Sequence, residues 1–415
     1  MSQHRWSVVG FLDYGDHGRV VRLRHENGRT ERREIPVGEA SGLPLMSRPV
    51  FLGLSPEDEV ILLDPHGDTV SVQGACPADA LPAYAYPEAG TDRIWFMNEG
   101  DKKTGTDPVR CGDDASSVTI LQRRPDQRPP ARVLRSVCVG RGHHVTTFVP
   151  GERPLAFVSN LLDGTLSVLE NDGRDFPLVG TINLFEADKE DENAPTLPNH
   201  AFPHGMAWSP VTRRLYNLNN GYATIAVIDP ATLAIEDRIP LPVASNILLH
   251  PAGRHLVGKG ADRKRDPEHV VGRLAVVDLT TGEVAHTLDL PDIYPSTYRF
   301  SPDGRRLFVT TAATGKGAQR DHLHIDRLLV FDSSDLPRLE PLAEVTIGRA
   351  DCGRRPLGYL ADEAGAVTRL FLPNPSDGTL TVLDGDLNTL ETVELGAPGM
   401  REFLFSFWDG AIEAC

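Results

Sequence analysis

One phrase returns along this chain with small changes, and it constrains the fold more than any other feature. It reads strand, tight turn, strand, loop, a third strand ending in an acidic residue, then a fourth strand. One copy, HGMAWSPVTRRLYNLNNGYATIAVIDPATLAIEDRIPL, begins at His204, and others begin at Ser245, Ser296 and Arg355. The turns carry Pro, Asp, Gly and Asn, as short hairpins between antiparallel strands require. Self-similarity at roughly 40 to 55 residues, with four short strands per copy, is the signature of a propeller blade.

Laid along the chain, the copies start near Leu81, His143, Pro203, Ala244, Pro295 and Arg355, which makes six blades. Before them lie further strand-like runs, among them WSVVGFLDY, RVVRLRHE, TERREIPV, VFLGL and EVILLD. After them REFLFSFW has nothing downstream to pair with. A propeller closes its ring or leaves sheet edges open to other chains. The expectation is therefore one all-β domain over residues 1–415, a seven-bladed propeller closed by pairing N- and C-terminal strands. Eight blades is the main alternative, because the first 76 residues hold strands enough for more than one blade. The one weakly helical stretch expected is Phe185–Asp191.

The segments PHGMAWSPVTRRLY, FSPDGRRLFVTT and LAFVSNLLDGTLSVLE give the chain a resemblance to the YVTN/lactonase-like propeller superfamily, over residues 140–400. The resemblance implies seven blades and a site around the central channel on one face. That group and its neighbours include sugar-lactone hydrolases, haem-d1 propellers, copper-histidine propellers and non-catalytic surface proteins. No motif of one enzyme subfamily is present, so no catalytic residue is carried over.

Lys plus Arg number 42 against 58 for Asp plus Glu, a formal charge of −16. Such a field repels phosphate backbones and anionic lipid, which points to a small-molecule partner and away from nucleic acid and membranes. Self-association into a homo-oligomer is compatible with the sequence. No run approaches 18 apolar residues, and the N-terminus lacks the basic and apolar regions of an export signal. The five cysteines are odd in number, scattered and without a CxxC, which fits reduced thiols and a cytoplasmic protein.

In a four-stranded blade the loops between second and third strands emerge at the same end as the connections between blades. At that end this chain places three long loops, after Met97, Val257 and Val309, and the long connection Phe185–Gly205. Long loops gathered on a rigid scaffold are where function usually lies. Two of them look like copies: Gly258-Lys259-Gly260-Ala261-x-Arg263 recurs as Gly315-Lys316-Gly317-Ala318-x-Arg320. Lys259 and Lys316 are the expected anion- or cofactor-binding residues.

Seven histidines map to the same end: His143, His144, His200, His204, His269, His322 and His324. Aligning HHVTTFVP on PHGMAWSP puts His144 in register with His204, on neighbouring blades at the channel mouth. Several imidazoles converging from different strands would suit a transition metal, copper ahead of zinc or iron. The first functional expectation is thus a metal-dependent oxidoreductase acting on a small molecule. Arg141, Arg355 and Tyr298 are the expected catalytic partners at the mouth. Cys111, beside Arg110, is a candidate thiolate nucleophile or soft ligand, and Cys138 lies just before Gly140-Arg141-Gly142-His143. The second expectation is a metal-free lactonase-like hydrolase, lyase or isomerase with a histidine as base and an Arg or Lys stabilising the oxyanion. The third is a non-catalytic binding propeller. No HExxH, GxSxG or phosphate-binding P-loop occurs.

Overall fold

The computed structural model describes residues 6–14, 18–35, 51–54, 59–63, 70–75, 82–98, 111, 116–123, 131–190, 194–352, 354–399 and 402–408. Seven four-stranded antiparallel sheets are present, six of them with their strands in sequential order. They are the seven expected blades. Six begin at Pro82, His143, Pro203, Ala244, Pro295 and Gly358, within three residues of the starts read from the repeat. The seventh is composite: the C-terminal strand Glu402–Trp408 pairs with Trp6–Asp13, which continues to Gly18–Glu26 and Arg29–Ile35. The ring is closed by chain ends that meet in one sheet, as the edge argument requires.

A further three-stranded sheet, formed by Phe51–Leu54, Glu59–Leu63 and Val70–Ala75, carries the strands that suggested an eighth blade. It neighbours the blade Pro82–Val139. The stretch Phe185–Asp191 is turn and coil in its described part. Among the described residues the helix is a single four-residue turn, Gln319–His322.

The core lies between blades. Second and third strands are apolar on both faces, since each sheet is covered on both sides by its neighbours. Leu155–Asn160 and Arg214–Asn219 are almost wholly buried, whereas the outer strand Ala234–Pro240 is mostly exposed. One cluster joins Leu166, Val168 and Ile182 to Met206, Leu215 and Ile228 of the next blade. Another joins Trp6, Val8, Leu12 and Val21 of the composite blade to Phe371, Leu380 and Val382 of the preceding one. Each blade thus buries its faces only because it has neighbours.

A recurrent irregularity positions the site. The innermost strands starting at Pro82, His143, Pro203, Ala244 and Pro295 all shift register within their first four residues. Counting from the common partner position, His143 aligns with Pro203 and His144 with His204. The bulge holds Ser245 and Ser296 at the same place in the next two blades. Bulges at the rim of a closed sheet re-aim side chains, and here they do so at the mouth of the channel.

Candidate functional site at the channel mouth

A cavity of about 620 Å³ opens where these strands begin. Its wall comes from five successive blades: Tyr84 and Tyr86, Val145, His204 to Met206, Asn246 to Leu248, and Ser296 to Arg299. Lys259, Tyr294 and Arg354 complete it. His204, Lys259, Arg299 and Arg354 are its basic groups. None of its described lining residues is a carboxylate, in a chain where acids outnumber bases 58 to 42.

Lys259 is the most unusual of the four. It lies on His255–Asp262, the second strand of its blade, opposite Asn246. Its Nζ donates to the backbone carbonyls of Pro295, at 3.1 Å, and Ser296. It sits over the Tyr298 ring, 5.4 Å from the centroid. Burial, reinforced by the nearby Arg354 charge, brings its ammonium down to about 8. Burial also holds His204 below the ordinary imidazole range, and the Lys259 charge adds to this against a backbone hydrogen bond involving Ser245 that favours the charged form. His204 is therefore neutral, and a candidate base, where a free imidazole would still be partly protonated.

Tyr298 lines the cavity as expected, but its hydroxyl donates to Val257 O at 3.1 Å and burial drives its phenol far above the ordinary range. It serves as a wall and a platform for Lys259 rather than as a titrating acid. Arg355 corrects the sequence reading. Its side chain is fully buried and donates to Ile325 O and Gly348 O at 2.8 and 2.6 Å, and burial brings it down to about 10. It ties the last two blades together, while its neighbour Arg354 faces the cavity. Arg141 is engaged by Asp163, which accepts from its Nε at 2.8 Å and its backbone N–H at 2.7 Å.

Lys316 also departs from expectation. The position equivalent to Lys259 in the next blade is Thr310, and Lys316 lies six residues further on, exposed in the loop. The two Gly-Lys-Gly-Ala segments are alike in sequence and different in place. The loops do meet: Gln319 Nε2 donates to Asp266 O at 2.6 Å, and the rings of His269 and His322 lie 4.7 Å apart.

The seven histidines do not form one cluster. His269 Nδ1 is 2.9 Å from Asp292, which raises its pKa, and His324 donates its backbone N–H to Asp292 O. His200 is exposed and paired with Glu190 at 2.7 Å; hydrogen bonds from Tyr222 and His200 bring that carboxyl down to about 2. The side chains of His143 and His144 lie outside the described residues. Among the described residues no three His, Cys, Asp or Glu side chains are arranged to hold a metal ion.

Cys111 is joined to Cys138 in a disulfide with the Cα atoms 5.6 Å apart. A bonded sulfur carries no ionisable proton, so the reading of five reduced thiols and of Cys111 as a thiolate nucleophile is corrected. The rest of the loop around Cys111, from 99 to 115, lies outside the described residues.

A larger groove of about 980 Å³ lies among hairpin turns at the opposite end of the strands, around Trp208, Arg153 and Arg214. Those arginines already hold Glu170 and Glu236, so it offers less to a charged ligand than the channel mouth. No described helix is long and apolar enough to cross a membrane.

No known family pattern matches the chain, and no curated relative matches it. Solved structures do. A dihydro-heme d1 dehydrogenase in complex with DHE superposes with a TM-score of 0.58 at 17% identity, covering 96% of this chain and 74% of the other. Sqt1 from Saccharomyces cerevisiae gives 0.59 at 11% identity, over 92% and 91%. A putative 6-phosphogluconolactonase from Bacteroides uniformis gives 0.54 at 13% identity, over 98% and 100%. Identities this low carry the fold and nothing finer, and what this chain shares with all three is the propeller.

Proposed function

We propose that the channel-mouth cavity binds a small anionic molecule and transforms it by metal-free acid–base chemistry, as a hydrolase, lyase or isomerase. One observation carries the reading: four basic side chains line the cavity without a carboxylate among its described lining, inside a strongly acidic protein. Like charges gathered in one cavity repel one another, and an anionic ligand relieves that cost. The tyrosines supply apolar ring faces that exclude water and strengthen the charge interactions.

In this reading His204, kept neutral by burial, takes a proton from the substrate or from a water. Lys259, Arg299 and Arg354 hold the substrate anion and stabilise negative charge as it develops. A lactone or hydroxy acid bearing a carboxylate fits this division of labour. The likeness to a putative lactonase and to a haem-d1 dehydrogenase leaves both chemistries open to the scaffold.

Titration of the protein with oxalate, followed by calorimetry, tests the binding step. The expected result is one site whose affinity falls about tenfold in Arg354→Ala, as loss of a charge-assisted contact predicts. Turnover of carboxylated lactones should persist after exhaustive chelation. Activity that vanishes with chelator and returns with copper would replace this reading with the metal-dependent one.

A further inference from the structure

We infer that Lys259 is a covalent capture residue for small oxo acids, its side-chain amine condensing with the substrate carbonyl to form a Schiff base at the channel mouth. This deepens, and rests on, the reading of the cavity as an anion site.

The chain has only six lysines, Lys102, Lys103, Lys189, Lys259, Lys264 and Lys316, among 42 basic residues. Among the four described lysines, Lys259 stands in the cavity, beside two arginines. Arginine holds an anion at least as well, but its guanidinium does not deprotonate and is no nucleophile; lysine loses its proton readily when buried.

The hydrogen bonds suit the neutral amine. Pro295 O and Ser296 O accept two N–H bonds from Nζ. An ammonium has a third proton to place, whereas an amine has two protons and a lone pair. Both bonds therefore survive deprotonation, and the lone pair is the remaining valence on the amine of a residue that lines the cavity. The groups around it favour the same state. Burial and the Arg354 charge lower the lysine's proton affinity, and no carboxylate pairs with Lys259 among the described residues. His204 and Arg299 are the other charged or titratable groups on the same wall, with Tyr84, Tyr86 and Tyr294.

The step balances without an oxidant. The amine lone pair forms a C–N bond to the carbonyl carbon, and the C=O π electrons move to oxygen. A proton passes from nitrogen to that oxygen to give the carbinolamine. The nitrogen lone pair then expels water, the departing oxygen taking a second proton, and an iminium remains on Nζ. The second proton is the one the Lys259 ammonium gives up before attack: His204, neutral and on the same wall, is the group suited to accept it and return it to the departing hydroxyl. Arg299 and Arg354 hold the carboxylate and leave the carbonyl toward Lys259.

Incubation of the full chain with glyoxylate and sodium cyanoborohydride, followed by peptide mapping, tests this. Reduction of the imine leaves a carboxymethyl group on the lysine that formed it. Lys259 should be labelled at least about tenfold faster than any of the other five lysines, as a buried, partly neutral amine predicts. Oxalate, which has no aldehyde, should slow that labelling. Labelling of exposed Lys264 and Lys316 with Lys259 spared, while calorimetry still detects oxalate binding, overturns the covalent role and leaves the anion site standing. Lys259 spared with no oxalate binding overturns both.

Discussion

Lys259 and His204 stand on one wall, and burial acts on both toward the neutral form. The consequences differ in sign. His204 is a base only when unprotonated, so its function is lost on the acid side, below the ordinary imidazole range. Lys259 attracts an anion only when charged, so that attraction is full below about 8 and fades as pH rises through it. Oxalate affinity should therefore be flat through neutral pH and fall above about 8, while glyoxylate labelling of Lys259 should climb over the same interval. Calorimetry and peptide mapping across that range check the two opposite trends, and parallel trends would contradict the assignment. The adjacent arginines give a second contrast. Arg354→Ala should weaken the anion and barely move the melting temperature. Arg355→Ala should destabilise by roughly 3 kcal/mol, because it strands two buried carbonyls and leaves a void. Thermal melts of the two variants separate them. The sequence showed an Arg-Arg pair at the start of a blade but could not say which member faced the channel. Both lie in coil ahead of the strand Gly358–Ala361, where no alternation of faces says which side chain turns inward.

At the scale of a strand, three of the blades are held by a buried asparagine at the end of the second strand. Asn98 donates to Ser117 and Thr119, Asn160 to Thr165 and Ser167, and Asn374 to Thr379 and Thr381. Each clamps the second strand to hydroxyls of the third, where an unpaired amide would cost stability. In two of them a glycine from the connection ahead of the same blade lies against the asparagine. A Cβ at Gly348 would come 2.3 Å from Asn374 Cγ, and one at Gly140 would come 2.6 Å from Asn160 Cγ. Gly348→Ala should thus cost about 1–3 kcal/mol by overpacking, read as a lower denaturation midpoint with unchanged slope. If the midpoint does not move, the clamp is looser than the contact implies. The strands were legible because strand and turn recur together, whereas the asparagine clamp shows only in the packing. Loop contents were not legible either. Two Gly-Lys-Gly-Ala copies looked equivalent, yet one lies on a paired strand and the other six residues beyond it. The histidines were counted to one end, which is where the loops emerge. A long loop can lean outward, and its sequence holds no periodicity to say how far: His200 reaches Glu190, and His269 reaches Asp292 and His322.

At the scale of the whole molecule, stability depends on closure, because each interblade core needs two blades. Trp6–Asp13 is an inner strand only while Glu402–Trp408 covers it, from the pair Ser7–Trp408 to the pair Asp13–Glu402. The composite blade has other ties to its predecessor. Trp6 packs edge-on against Phe371 at 5.1 Å, Thr30 donates to Glu391 at 2.7 Å, and Tyr14 donates to Ala397 O. Those contacts do not involve the last strand, so deleting everything after Gly399 should leave most of the ring assembled with one sheet edge bare. The exposed backbone of Trp6–Asp13 is then a template for another chain. The truncated protein should melt well below the full chain and form dimers or larger aggregates as concentration rises, measured by calorimetry and light scattering. A peptide spanning residues 400–415, added in trans, should restore the monomer by supplying the missing strand. If the truncated chain melts like the full one and stays monomeric, the ring draws its closure from the interblade core around Trp6 and Phe371 rather than from the seventh blade's inner strand.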